Sequence, residues 1–570
     1  MFVDNIKFNE LFQRLSNIDL FGVAGPALPY STPPSSDGVE KAISKGANLL
    51  PAEFRNAYVD PLEANLTAVV AKLNSSQQQE TIETLAGAVY QHAEQEMGAP
   101  LGRFLAVISD LYRSFLSKKR RAAAGFPLLE TLPPLAMFQR SGLSGPFTIP
   151  CDDVVSLFRG TVGVVSLPAT YSQHPLLWAS LSHETGGHDV THADADLLPE
   201  LAEGIHELFG GGPITPGKPL TEAQFLGLLW TYWLDEAAAD VYGVLNIGPA
   251  FGLNLAVFFA ALNARASGNT KSPHLRTESG FDPSDPGRRL DEHPTDILRP
   301  HIVMGVVDAL DGLKQPVRDG YLADLQALVQ ICAPNASTVT LSGVIQTGPG
   351  VRITVQQKFA LAKMQQTARQ VGSFIARKKL QALSGHSIQE LETWDDRDEQ
   401  TARNISIALL NNASVADQGD DAQLLAGATL AAFQSPGSYD QISKLLADAL
   451  DVSLADDPFF GSPTPDRIML RAASTQLPLD PSVAADVCEQ CIRATANISS
   501  DPIGGQDTMS DLGIGDKPAL TSLVDRIEDD AEIGLPSVGY VINNRDSLQP
   551  KTTTTFSQLI GMVVKNSRPA

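Results

Sequence analysis

Residues 182–192 read SHETGGHDVTH and place His183, His188 and His192 within ten residues of one another. Eight of the ten histidines of this 570-residue chain lie between positions 174 and 301. An even spread of histidine along the chain would not give such a concentration. The segment therefore has a chemical or structural task, and the sequence on either side of it indicates the architecture.

The flanking sequence predicts a strand followed by helices. Residues 161–167, TVGVVSL, form a β-branched run that ends at Pro168, which is typical of a strand. A helix is predicted to begin at Pro175, because the first helical position tolerates a residue without an N–H group. Helical periodicity continues over residues 197–209, 221–246 and 249–267. The histidine run thus lies in a mainly helical region.

His183 and His188 are five residues apart, one more than the usual spacing of a metal-binding histidine pair. Positions i and i+4 lie about 40° apart around a helix, whereas i and i+5 lie about 140° apart. Both rings can face one metal ion only if an extra residue widens the turn, as in a π-bulge. Gly186 and Gly187 would relieve the crowding in such a turn. The spacing therefore predicts a π-helical turn that carries two metal ligands.

The segment WLDEAAAD, residues 233–240, offers a third ligand. Glu236 and Asp240 stand four apart on one helical face, so Glu236 can bind the metal while Asp240 accepts the other N–H of a ligand histidine. The three alanines between them let two helices approach closely. Three protein ligands and a water are typical of catalytic zinc sites, so we predict Zn²⁺ held by His183, His188 and Glu236.

Glu184 directly follows the first ligand and is predicted to be the general base. Zinc lowers the pKa of a bound water to about 7, and Glu184 is placed to take its proton. The predicted reaction is hydrolysis of a carbonyl that the metal polarises, with a peptide bond of a peptide or protein substrate as the target.

Residues 183–188, HETGGH, and residues 235–240, DEAAAD, resemble the HExxGH and EExxA(E/D) motifs of the dipeptidyl peptidase III family. His188 and Glu236 are 48 residues apart, which is also similar to that family. The resemblance covers about 60 residues and implies a gluzincin-type zinc metallopeptidase with a zincin-like catalytic region. It implies the same ligands, general base and supporting acid as the residues themselves suggest.

Residues 293–299, HPTDILR, resemble the HPxxxxR segment that follows the third ligand in several zinc-peptidase families. A cationic side chain there could stabilise the oxyanion of a tetrahedral intermediate, and His293 and Arg299 are the candidates. Tyr242, shortly after the third ligand, is a further candidate. The strand at 161–167 is predicted to be an edge that pairs with an extended peptide substrate.

Other interpretations of the histidine run stay open. His192 lies four residues after His188, so His188 and His192 could be the ligand pair in place of His183 and His188, or His192 could join the ligand set or bind a second metal ion. The His188-Asp189 doublet also resembles that of HD-type metal-dependent phosphohydrolases, in which Asp240 would supply a further ligand. A third interpretation is a non-catalytic protein with a structural metal, which requires every coordination position to be closed.

Charge and composition exclude several classes of protein. With 42 Lys+Arg against 65 Asp+Glu, the net charge of -23 has the wrong sign for binding nucleic acid or an anionic membrane. The basic run KKRR at 118–121 is predicted to lie at the C-terminal end of the preceding helix, where positive charge interacts favourably with the helix dipole. Acidic residues interrupt the apolar stretch at 225–259, so it is not predicted to span a membrane.

The cysteine content and the N-terminal sequence indicate the cellular compartment in which the protein is expected. Four cysteines are too few for a disulfide scaffold, and Cys488 and Cys491 form a CxxC pair without a second pair to complete a zinc site. Residues 1–15 lack the basic and apolar pattern of a secretory signal, so a cytoplasmic location is expected.

The whole chain is predicted to be mainly α-helical, in the α+β class, with several domains, because single cores stop growing at about 250–300 residues. Residues 1–150 are predicted to form a helical N-terminal region, and residues 151–310 the zincin-like catalytic region with a short edge strand or small sheet. Residues 311–500 are predicted to be helical, with a β-hairpin at about 338–355 around the turn sequence TGPG. Residues 501–570 are predicted to form a turn-rich C-terminal segment.

Overall fold

A computed structural model describes most of the chain between residues 7 and 569. The described residues are 7–18, 20, 28–30, 34–73, 79–94, 97–116, 132–139, 145–180, 182–193, 196–210, 212, 219–279, 289–346, 352–461, 481–496, 508–514, 516–529, 540–542, 550–551, 553–554, 559, 562–563 and 567–569. The basic run at 118–121, the TGPG turn at 347–350 and most of the predicted C-terminal segment lie outside them.

The described residues are mainly helical, which confirms the predicted fold class. The α-helices are α1 Phe8–Ser16, α2 Ser36–Gly46, α3 Ala52–Phe54, α4 Asp60–Leu73, α5 Gln79–Tyr90, α6 Gly98–Leu116, α7 Cys151–Phe158, α8 Val190–Ala193, α9 Leu197–Leu208, α10 Glu222–Tyr232, α11 Leu234–Ile247, α12 Ala250–Ala266, α13 Arg299–Ala309, α14 Gln315–Cys332, α15 Leu361–Arg377, α16 Ile388–Leu391, α17 Asp396–Leu410, α18 Asp421–Gln434, α19 Tyr439–Asp456, α20 Pro481–Ala496 and α21 Lys517–Asp529. Two π-helices span Arg55–Val59 and His183–Asp189, and the strands are β1 Leu135–Gln139, β2 Phe147–Ile149, β3 Val164–Pro168, β4 Thr338–Gln346, β5 Arg352–Ala360, β6 Tyr540–Ile542 and β7 Ser567–Pro569.

A three-stranded sheet with the order β1-β3-β2 lies beside the His183–Asp189 π-helix. β3 pairs in parallel with β1, with Val164 opposite Leu135, and antiparallel with β2, with Val164 opposite Ile149. The prediction that the strand at 161–167 is an edge is therefore wrong, because β3 is paired on both sides. Every residue of β3 is buried, as expected for a central strand that reads as a continuous apolar run. The sheet edge next to the π-helix is β2.

The predicted β-hairpin is confirmed, since β4 and β5 pair antiparallel along their whole length. The sequence pattern also predicts a helix over residues 356–383, but β5 continues to Ala360 and α15 begins only at Leu361. Val355 and Phe359 are the buried side chains at this point. They are four residues apart, a spacing that fits one face of a strand as well as one face of a helix, so periodicity could not separate the two.

One continuous hydrophobic core extends from Phe8 to Phe460, and α11 lies within it. Every residue of α11 from Glu236 to Ile247 is buried. The elements packed around this helix are the His183–Asp189 π-helix, α9, α12, α13, α15 and α18. A helix enclosed in this way must satisfy its polar side chains within the protein. Glu236 and Asp240 therefore need partners on the neighbouring elements.

Helices from different predicted regions share this core, because α1 packs on α12 and α6 packs on α19. The division of the chain at residues 150, 310 and 500 remains a prediction. Among the helices described, none has both the length and the apolar character needed to cross a bilayer.

Candidate metal centre

His183 and His188 lie on the π-helix that spans His183–Asp189, which confirms the turn predicted from their spacing. The wider turn brings the two imidazoles together, with ring centroids 4.9 Å apart and ring planes at 88°. Gly187 faces Ala239 of α11, where an added Cβ would lie 2.1 Å from the Ala239 Cα. Glycine is required there because the π-helix and α11 touch backbone to backbone.

Three potential metal ligands converge between these two helices. The Nε2 atom of His183 lies 3.2 Å from Oε2 of Glu236 and 3.3 Å from Nε2 of His188. The Nε2 atom of His188 lies 3.5 Å from Oε1 of Glu236. Tetrahedral zinc with bonds of about 2.0–2.1 Å separates its ligand atoms by about 3.3 Å. Within the described part of the chain, these three residues form the group whose donor atoms lie close enough to share one metal ion.

Hydrogen bonds to the far ring nitrogens determine which nitrogens face the centre. The Nδ1 atom of His183 is 3.1 Å from Oδ1 of Asp240, and Nδ1 of His188 is 3.1 Å from Oδ2 of Asp235. An ionised carboxylate only accepts, so each Nδ1 donates to its aspartate and each Nε2 faces the centre. Oε2 of Glu236 is buried and has no hydrogen-bond partner among the described residues. Two imidazole nitrogens and a carboxylate facing one another are a set of ligand atoms that suits a metal cation, which would take the place of any proton on Nε2.

Arg299 lies behind Asp240 and is only 2% exposed, while Asp240 is 0% exposed. Its Nε and Nη2 atoms donate to the two carboxylate oxygens of Asp240 at 2.9 and 2.7 Å, and its guanidinium lies 4.6 Å from the ring centroid of Phe259. The same Nη2 atom is 3.0 Å from Nδ1 of His183. Burial raises the pKa of Asp240, but the charge and hydrogen bonds of Arg299 together with the contact to His183 outweigh burial and hold this pKa below its usual value. The contacts of Arg299 are those of a supporting ion pair, and its predicted oxyanion role stays a prediction.

Asp235 links His188 to the molecular surface. Its Oδ1 atom is 3.5 Å from Nε2 of His192, and Nδ1 of His192 is 2.9 Å from Oδ2 of Asp152. The side chains of Asp235 and Asp152 are 43% and 56% exposed. Burial lowers the pKa of His188, but the charges of Glu236 and Asp235 outweigh it and raise this pKa to about 9. His192 thus contacts Asp152 and Asp235 and is not part of the group of His183, His188 and Glu236.

His293 contacts the third potential ligand. Its Nε2 atom is 3.0 Å from Oε1 of Glu236, and its Nδ1 atom is 2.9 Å from Oδ1 of Asp291. Its side chain is half exposed. Tyr232 and Trp233 hold the segment in place, since their side chains donate to two consecutive backbone carbonyl groups just before it. Each of the three potential ligands therefore has its own hydrogen-bonding partner, as metal-binding side chains usually do.

Glu184 is buried, and its carboxylate lies close enough to His188 to contribute to the raised pKa of that residue. The Oγ1 atom of Thr148, on β2, is 3.0 Å from Oε2 of Glu184 and 3.0 Å from its backbone oxygen. Tyr242 is also buried, and its ring packs edge-on against Phe115 with centroids 5.4 Å apart. A catalytic role for Tyr242 stays a prediction.

Asp189 has a different set of neighbours from the metal group. Its Oδ1 atom accepts the backbone N–H of Cys151, the first residue of α7, at 3.0 Å. Gly163 lies so close that an added Cβ would be 2.1 Å from the same oxygen. Burial raises the pKa of Asp189 to about 6. Asp189 is not a member of the group whose donor atoms converge, so the geometry favours His183, His188 and Glu236 over a His188-Asp189 doublet.

Three hydrogen-bond partners of site residues are not predicted from the sequence. They are Asp235, which contacts His188, Asp291, which contacts His293, and Thr148, which contacts Glu184. Asp235 directly precedes the third potential ligand, and Asp291 lies two residues before His293. An acidic side chain next to a ligand candidate was therefore an available signal. Thr148 is 36 residues from Glu184, and no local pattern relates them.

No protein-family model matches the chain, and searches of the curated proteins and of the solved structures gave no match. The function is therefore inferred from the geometry of the metal centre.

Proposed function

We propose that this protein is a zinc-dependent peptidase with His183, His188 and Glu236 as metal ligands. The observation that carries the proposal is the convergence of two imidazoles and one carboxylate: the two Nε2 atoms lie 3.3 Å apart, and each lies 3.2 or 3.5 Å from an oxygen of Glu236. Two histidines and a glutamate are a known donor set of catalytic zinc sites, which leave the fourth position to water or substrate.

A bound metal would lower the pKa of a water molecule and polarise the carbonyl group of the substrate. Glu184 would act as the general base, accepting a proton from the attacking water and returning it to the leaving amine. Asp240 and Asp235 keep the protons of the two histidines on Nδ1, so that both Nε2 atoms stay available for the metal. His293 is half exposed, and its Nε2, which lies beside Oε1 of Glu236, would become the donor to the substrate oxygen once Glu236 binds a metal.

The position of β2 supports a peptide as substrate. β2 is the sheet edge next to the π-helix, and it carries Thr148, the hydroxyl partner of Glu184. An extended peptide can add to a sheet edge through main-chain hydrogen bonds, and a chain bound there would lie beside the general base. The resemblance of residues 183–188 and 235–240 to dipeptidyl peptidase III points to the same chemistry.

Metal analysis combined with hydrolysis assays tests the proposal. Purified protein is expected to hold about one zinc per chain and to cleave fluorescein-labelled casein internally or dipeptidyl 2-naphthylamides at the end. Glu184→Gln should keep the zinc and lose about 10²–10⁴-fold in kcat, because a general base is removed. Glu236→Ala should lose both zinc and hydrolysis.

Glu222→Gln is the matched control, because this glutamate is exposed on α10 and should be neutral in both assays. Full hydrolysis by both site variants would overturn the mechanism. A wild-type protein that binds zinc tightly but cleaves none of the probes would instead identify the metal as structural.

A further inference from the structure

The hydroxyl group of Thr148 makes two contacts with one residue. Its Oγ1 atom lies 3.0 Å from the carboxylate oxygen Oε2 of Glu184 and 3.0 Å from the backbone oxygen of Glu184. Both acceptors belong to Glu184, the second residue of the π-helix. We infer that Thr148 is a positioning residue that holds the Glu184 carboxylate in its working orientation, an inference that rests on the proposed function.

A threonine hydroxyl has one proton to donate and two lone pairs. When Glu184 is ionised, the proton can go to its carboxylate, and a hydrogen bond to a charged acceptor is the stronger of the two choices. When Glu184 has taken a proton, the hydroxyl can donate to the backbone oxygen and accept from the carboxyl group. The contact can therefore persist through both protonation states without moving the glutamate.

Holding the carboxylate matters because a glutamate side chain has several rotamers of similar energy. Fixing such a side chain costs conformational entropy, and a fold that fixes it beforehand removes this cost from the catalytic step. Glu184 is buried, so Thr148 replaces part of the hydration that its carboxylate loses.

The place of Thr148 in the sheet makes its orientation well defined. It is the middle residue of β2, and its backbone pairs with Val165 of the central strand. The backbone of Thr148 is thus fixed by strand pairing, so its hydroxyl is held more rigidly than a hydroxyl on a loop would be. The strand that would receive an extended substrate also holds the general base.

A contact that merely ties β2 to the π-helix would act on stability and on metal content, whereas a positioning contact acts on turnover. Thr148→Val keeps the size and branching of the side chain and removes the hydroxyl. Thr148→Ser keeps the hydroxyl and removes the methyl group. Thr354→Val, at an exposed position of β5, is the matched control.

The experiment measures zinc content, kcat and KM of these variants with the casein or naphthylamide probe that the wild type cleaves. Thr148→Val should lose about 10–100-fold in kcat, the usual effect of removing a partner of an active-site group, with KM and zinc content unchanged. Thr148→Ser should restore kcat to near the wild-type value, and Thr354→Val should be neutral. Should the valine variant not fold, Thr148→Ala carries the same expectation.

Wild-type kcat in Thr148→Val, or an equal loss in Thr148→Ser, overturns the inference and leaves the proposed function intact. A loss of zinc from Thr148→Val that parallels the loss of kcat also overturns it, because the contact is then structural. A wild-type protein that holds zinc and cleaves no probe overturns the proposed function, and this inference with it.

Discussion

The two sides of the metal centre differ in their access to solvent. On the His183 side, the partner carboxylate is Asp240, which is 0% exposed and bound by the buried Arg299. On the His188 side, the partner carboxylate is Asp235, which is 43% exposed and leads through His192 to the surface. Each histidine thus has an aspartate on Nδ1, but only one of the two aspartates is sealed inside the protein.

The difference indicates that the two sides do different work. A buried ion pair in good geometry fixes its neighbours rigidly, because leaving either partner alone in the interior is very unfavourable. An exposed pair is weakened by water and salt, so it contributes little and can rearrange. The His183 side is therefore the more rigid anchor of the candidate metal centre, and the His188 side is the one whose partner carboxylate is open to solvent.

The largest effect is expected from Arg299→Met, which breaks the buried pair. Asp240 would keep its charge in the interior without a counter-ion, which typically costs about 3–5 kcal/mol. Urea titration should show a fall of that size in the free energy of unfolding. Arg377→Met is the control, because Arg377 and Asp311 are exposed and their pair should contribute below about 1 kcal/mol. Equal losses in the two variants would show that burial of this side has no energetic consequence.

The second-largest effect is a loss of zinc affinity, which should differ between variants of Asp240 and Asp235. Replacing the partner of a metal ligand typically weakens metal binding about 10–100-fold. The loss of zinc affinity in Asp240→Asn should be about 100-fold, since water cannot reach the site of the lost charge. The loss in Asp235→Asn should be about 10-fold. Competition with a chromophoric chelator measures both, and Asp308→Asn, exposed on α13, should leave the affinity unchanged. A larger loss from Asp235→Asn would reverse the comparison.

Two histidines near these sides should respond to pH with opposite sign. Burial and the charge of Arg369 lower the pKa of His301, on the same helix as Arg299, from 6.5 to about 3. The unfolded chain then binds the proton first, so stability is lost as the pH falls from about 6.5 towards 3. Burial lowers the pKa of His192, but Asp235 and Asp152 outweigh it and raise this pKa to about 9. Its stabilisation is complete below about pH 6.5 and is lost as the pH rises through 9.

Unfolding titrations of His301→Gln and His192→Gln at several pH values measure these contributions. Relative to wild type, His301→Gln should gain stability as the pH falls below about 6.5, by at most about 1.4 kcal/mol per pH unit. His192→Gln should be less stable than wild type at about pH 6 and converge with it above the folded pKa of about 9. Parallel pH curves for the two variants would contradict the assigned environments.

The smallest effect is expected from Asp152→Asn, at the exposed end of the His188 side. Asp152 is 56% exposed, so its pair with His192 should contribute below about 1 kcal/mol and weaken in molar salt. The zinc affinity should stay within a few-fold of wild type. A loss comparable to that of Arg299→Met would mean that the surface end is as important as the buried end.

Much of the metal centre follows from spacing along the chain. Residues five apart on one helix can share a metal only if the turn is widened, and the glycines at 186 and 187 permit that turn. Cys488 and Cys491 show the limit of such reasoning. They are also close in sequence and both buried, but burial raises the pKa of Cys488 well above its usual value, which keeps the thiol protonated. A short spacing becomes a metal site only where another element adds donors and compensating charge.

The mainly helical class, the π-helical turn and the residues that could hold a metal ion follow from the sequence alone, because they depend on periodicity and on residue spacing within two short segments. The central place of β3, the contact of Arg299 with Asp240 and the contact of Thr148 with Glu184 are known only from the tertiary structure. The two side-chain contacts join residues 59 and 36 positions apart. They depend on how the sheet, the π-helix and α11 pack, and packing is a property of the whole core that no local spacing encodes.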